Sequence, residues 1–147
     1  MAPFLTLALT LLPAFDAKIP HVPKGALLIV SESGGMRGYQ GRLVVGLDGT
    51  ATYATSTMGG KTSTKRWRLS RAELASLRQA ITRTDFDALH REPRATYPPS
   101  AADGIDRALA AIKGKQARGW SNAMWQAPSE PVPLFVAIEG LIERGRG

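Results

Sequence analysis

The sequence predicts an α+β domain: an antiparallel β-sheet, built as a meander plus a hairpin, with two amphipathic helices packed on one face. Three observations carry this. Short apolar or alternating runs, punctuated by Asp48-Gly49 and Gly59-Gly60, fill residues 26–69. The period then switches to that of a helix after Ser70, where Leu74, Leu77 and Ile81 form one stripe. A second stripe of Leu134, Ile138, Leu141 and Ile142 follows Pro131 and Pro133, and proline suits the first turn of a helix.

The elements follow in order. Phe4 to Phe15 is apolar, interrupted only by Thr6, Thr10 and Pro13. The run is too short for a bilayer span of roughly 20 apolar residues and has the length of a secretory signal core. Residues 1–17 are therefore read as a signal peptide, with the start amine supplying the positive charge, and the mature protein as periplasmic or extracellular. A buried first strand or a mis-assigned start codon is the alternative, and without a working leader the protein would be cytoplasmic. Residues 18–24 hold Pro20 and Pro23 and read as an extended linker, so that a single domain occupies residues 25–147.

Ala26 to Val30 has the length and β-branching of a buried strand. Ser31 to Gly41 carries four glycines and reads as a loop. Arg42 to Leu47 alternates, with Leu43, Val45 and Leu47 on one face. The Asp48-Gly49 turn leads into a strand over Thr50 to Thr57, and Gly59-Gly60 into another over Thr62 to Leu69. Ser70 and Glu73 form a capping box for the first helix, which Phe86 and Leu89 close onto the sheet. His90 to Ala102, with three prolines, is expected to be a loop. Asp103 to Lys113 fits a helical template through Ile105, Ala108, Leu109 and Ile112, but the Gly114-Lys115 turn into Gln116 to Ser121 favours a hairpin. The final helix is expected to end near Arg144.

Composition limits the function classes. The 147 residues contain no cysteine, which excludes a disulfide framework, a thiol nucleophile and a thiolate-bound metal. Ser31 and Ser33 lack the strand-turn-helix setting of a nucleophile elbow. His21 falls in the linker and His90 at a helix end, where histidine is commonly a cap or surface residue. Zinc needs three or four clustered ligands, and Asp85, Asp87, Asp103 and Asp106 read instead as helix-end and turn residues. Gly59-Gly60-Lys61-Thr62 lacks the leading glycine of a phosphate loop. No catalytic residue, cofactor or metal is expected, and the chain reads as a binding protein rather than an enzyme.

Lys plus Arg outnumber Asp plus Glu 19 to 12, a net charge of +7 that favours anionic surroundings without naming a partner. Lys61, Lys65, Arg66 and Arg68 around Trp67 resemble a stacking platform with phosphate contacts. Strand alternation gives the simpler reading, with Arg66 and Arg68 to solvent and Trp67 to the core. Trp120 and Trp125 read likewise as core or hairpin residues. No specific nucleic acid and no transmembrane span are expected, and nothing in the pattern specifies an oligomeric state.

One ordered set of short motifs goes further. Ser33-Gly34-Gly35-Met36-Arg37-Gly38 stands between two strands, and Leu69-Ser70-Arg71-Ala72-Glu73-Leu74 opens a helix that ends near Asp85-Phe86. Asp103 then leads a hairpin, and Pro133-Leu134 starts the last helix. From about Ala26 to Glu143 this order resembles the emfourin family, small bacterial protein inhibitors of thermolysin-like metallopeptidases. The resemblance implies a secreted or periplasmic metallopeptidase as partner, with Glu32, Ser33, Gly34, Gly35, Met36, Arg37 and Gly38 as the contact loop. Such a loop would occlude a cleft sterically, Met36 and Arg37 supplying the apolar and charged contacts and Glu32 being the carboxylate that could reach a metal. The alternative is a basic envelope protein associating with anionic polymers or lipids.

Overall fold

The computed structural model describes residues 19–34, 38–91, 94–96, 105–122, 126–128 and 132–147. The predicted signal segment, Gly35 to Arg37, Asp103, Trp125 and Pro131 lie outside the described residues. The protein is α+β, with a six-stranded antiparallel sheet and helices on one face.

Four strands form the meander: β1 (Ala26–Gly34), β2 (Tyr39–Gly46), β3 (Thr50–Ser56) and β4 (Thr62–Arg68). The hairpin of β6 (Ile105–Lys113) and β7 (Gln116–Asn122) then pairs with the far side of β1. The order is β4-β3-β2-β1-β6-β7, which makes β1 central and β4 and β7 the outer strands. Residues 105–113 are thus strand, as the following turn suggested. Two short strands, β5 (Arg94–Thr96) and β8 (Gln126–Pro128), pair separately, β5 falling within the His90 to Ala102 segment expected to be a loop.

Leu28, Val30, Leu43, Val45, Ala51, Tyr53 and Leu109 project from one sheet face into the main core. Leu77 and Ile81 of α1 (Arg71–Arg83), Phe86 and Leu89 of α2 (Phe86–Arg91), and Leu134, Ile138, Leu141 and Ile142 of α3 (Pro133–Arg146) close it. Each fully buried Leu or Ile contributes about 1.5–3 kcal/mol, so this layer dominates stability. Trp120 stacks on Phe135 at 4.7 Å, joining the β7 edge to α3. On the opposite face, among the described residues, Val22 from the proline-containing segment packs on Ile29 and Ala110.

Three expectations are corrected. β1 continues through Ser31, Glu32 and Ser33 to Gly34, because both of its neighbours keep pairing with it there. Leu47 leaves the strand face: its N–H donates to the Gly25 carbonyl at 2.9 Å in the turn, and the side chain stays exposed. Phe86 and Leu89 belong to a separate helix, since Thr84 is extended and Asp85 Oδ1 accepts from the Ala88 N–H at 3.0 Å to start a new one.

The α1 capping box is complete. Glu73 N–H donates to Ser70 Oγ and Ser70 N–H to Glu73 Oε1, both at 3.1 Å. The Ser70 backbone and hydroxyl hold the Glu73 carboxyl below its ordinary value of 4.5, and Arg144 adds to the effect. A lowered folded pKa means that this stability is present above about pH 4.5 and is lost as pH falls through the folded value. Ser70→Ala is expected to cost about 1 kcal/mol at neutral pH. It should also flatten the loss of stability below about pH 4.5, which urea denaturation at several pH values would measure.

Candidate functional site

The glycine loop leaves the sheet between Gly34, φ 133°, and Gly38, φ 62°. Both values lie where L side chains are strained, so the chain turns there without a Cβ penalty. Ser33 and Gly38 are exposed and Gly34 half-buried, while Gly35, Met36 and Arg37 lie outside the described residues.

Glu32 departs from its expected role. It sits on the helix-facing side of β1, in register with Gly41 of β2 and Arg107 of β6, and its side chain is 1% exposed. Arg107 grips Oε2 through Nη2 at 2.7 Å and Nε at 3.2 Å. The Tyr53 hydroxyl donates to Oε1 at 2.9 Å. With its own hydrogen directed at Glu32, the Tyr53 oxygen is left to accept from the Tyr39 hydroxyl. Arg146, near the end of α3, lies 3.8 Å from Oε1, and Arg107 also pairs with Glu139 of α3. Glu32 is therefore turned inward on the helix side of β1 and is not an outward-facing carboxylate that could reach a partner's metal.

Two carboxylates and two guanidiniums balance in this cluster, as a buried charge requires. Burial works against the Arg107 charge, but Glu32 and Glu139 outweigh it and hold the guanidinium above its ordinary value. For Arg146 burial is likewise outweighed, by Tyr39 and Tyr53, with Glu32 adding to the effect. Burial, then the hydrogen bonds with Tyr39 and Glu32, push the Tyr53 hydroxyl well above the ordinary phenol value, so it remains a donor at any physiological pH.

The space is closely fitted. A Cβ on Gly41 would lie 2.8 Å from Tyr39 Oη, 3.0 Å from Tyr53 Oη and 3.1 Å from Glu32 Oε1. A Cβ on Gly145 would meet the Tyr53 ring at 2.7 Å, which brings α3 close over the same tyrosine. Sequence reasoning named Glu32 but missed Tyr39, Gly41, Tyr53, Arg107 and Arg146. The signal it could have used was an acidic residue two positions beyond an apolar strand run, on the same face as Leu28 and Val30.

No family model matches this chain, and no curated protein matches it.

The sheet's other face differs in character. Arg42, Arg66 and Arg68 project outward among Ser31, Thr64 and Ala54, and Trp67 points to the helix side with Arg144 5.8 Å from its ring centre. His90 is exposed, with Nε2 2.9 Å from the Gly119 carbonyl, and Asp87 pairs with Arg118 at 2.6 Å. These two bind α2 to β7. Among the described residues no group of His, Cys, Asp or Glu gathers to hold a metal ion, and no helix is long and apolar enough to cross a membrane.

Proposed function

We propose that this chain is an exported, non-catalytic protein-binding module that presents the Gly34–Gly38 turn to the active-site cleft of a thermolysin-like metallopeptidase. The buried Glu32 cluster carries this reading. Strand residues on both sides of the turn, Glu32 and Tyr39, are tied to each other and to β3, β6 and α3. A loop held from beneath loses less conformational freedom on entering a cleft, and that saving appears as affinity. With Glu32 turned inward, occlusion is steric, and Met36 and Arg37 are the side chains left to make contacts.

Titration of the protein starting at Lys18 against a thermolysin-like peptidase, read with a small fluorogenic substrate, tests the reading. The expected result is stoichiometric loss of activity. Met36→Ala combined with Arg37→Ala should weaken inhibition by about tenfold to a hundredfold, the effect of removing one or two anchoring contacts. Undiminished peptidase activity at large molar excess would refute this target class.

A further inference from the structure

The two edges of the sheet are treated differently. The β7 edge is overlaid by α2 through His90 and Asp87. The β4 edge has no strand beside it among the described residues, and Thr62, Thr64, Arg66 and Arg68 are exposed along it.

The ladder shows which backbone groups face outward. At one end of the β3–β4 pair the Leu69 N–H donates to the Gly49 carbonyl at 2.9 Å, and at the other the Thr57 N–H donates to the Lys61 carbonyl at 3.2 Å. Antiparallel pairs alternate between bonded and non-bonded positions. Lys61, Ser63, Lys65, Trp67 and Leu69 therefore turn their backbone groups toward β3, and Thr62, Thr64, Arg66 and Arg68 turn theirs to the open edge. The side chains of those same four residues stand on the outer face of the sheet, two strands from that of Arg42.

We propose that the β4 edge is a docking strand for an extended acidic segment of a partner protein, one with carboxylates at alternate positions. Added as a seventh strand, such a segment would bond to the free N–H and C=O groups of Thr64, Arg66 and Arg68. Its residues directly opposite would share their face, about 5 Å away. Carboxylates there meet Arg66 and Arg68, and strands β1 to β4 put no acidic residue on this outer face. The nearby carboxylate of Asp48, in the β2–β3 turn beside Arg68, is already held by the Thr50 N–H and hydroxyl. A second copy of β4 would set arginines against a like-charged edge, which repels. Single-stranded nucleic acid would find no aromatic side chain to stack on among the outer-face residues of β3 and β4, because Tyr53 and Trp67 point to the other face. The residues it uses, Thr64, Arg66 and Arg68, are none of those in the glycine loop, and its test does not depend on peptidase inhibition.

Hydrogen exchange of the full-length protein, followed by NMR with capped ten-residue peptides, decides it. A peptide alternating glutamate with threonine should slow exchange at the Thr64, Arg66 and Arg68 amides and leave those of Ser63, Lys65 and Trp67 unchanged. Arg66→Glu with Arg68→Glu should weaken its binding about tenfold or more. Equal binding by an isomer with its glutamates in one block, by oligothymidylate, or by the alternating peptide N-methylated at its glutamate amides, the ones that would bond to the edge, would overturn the proposal in favour of bulk charge attraction. Absence of binding at millimolar peptide would overturn it outright. Protection of the same amides by raising protein concentration alone would make a second copy the occupant and overturn the acidic partner.

Discussion

Arg107→Met is expected to cost about 3–5 kcal/mol, the usual result of removing one partner from a buried ion pair. The substitution keeps most of the apolar volume of the arginine stem and removes both contacts to Glu32 Oε2. Glu32 would then lie 1% exposed, with Tyr53 as its one short donor and Arg146 no nearer than 3.8 Å. Stability measured by urea denaturation gives the loss. The double variant Glu32→Leu with Arg107→Met separates pairing from packing. It should recover most of that loss, because two apolar groups in place of a satisfied pair are often neutral or better. Failure of the double variant to recover stability would mean that the hydrogen bond from Tyr53 to this position, with Tyr39 behind it, matters more than the charge pair. The double variant has a second use. If it folds well but inhibits a peptidase poorly, the cluster acts by holding the loop in place and not through stability alone.

The second large effect is at Gly41. Gly41→Ala places a methyl group among three oxygens at 2.8 to 3.1 Å, each already fixed by a hydrogen bond. The neighbours cannot yield without breaking the Tyr39–Tyr53–Glu32 chain, so the expected cost is about 1–3 kcal/mol, as for other overpacked sites. Amide shifts should move at Glu32, Tyr39 and Tyr53 together. Gly140→Ala is the matched control. It lies in α3 with nothing within 4 Å of an added Cβ, so the helix should gain roughly 0.5–1 kcal/mol. A Gly41→Ala protein as stable as the parent would show that the cluster relaxes more freely than its distances imply.

Both effects arise where the sequence was least legible. Glu32 looked like a loop residue because Ser31, Glu32 and Ser33 are polar and glycines follow. Local pattern assigns a polar residue to solvent, and only its partners make burial tolerable. Those partners lie 21 positions away at Tyr53 and 75 away at Arg107. The outermost place of β4 was equally hidden. Its alternation was plain in Lys65-Arg66-Trp67-Arg68, but an edge is defined by which strands pair, and β6 joined β1 instead.

What the residues determined alone was the periodic part of the molecule. Two-residue alternation in Leu43 and Val45, the helical spacing of Leu77 and Ile81, the Ser70–Glu73 box and the Pro133 start each act within a turn or two of chain. They survive intact because backbone geometry sets those periods whatever surrounds them. Tertiary structure decided the rest: β1 at the centre, the pairing of β5 with β8, α2 as a helix of its own, and the inward turn of Glu32. Each of these depends on contacts between distant segments, whose energy exists only once the sheet has assembled.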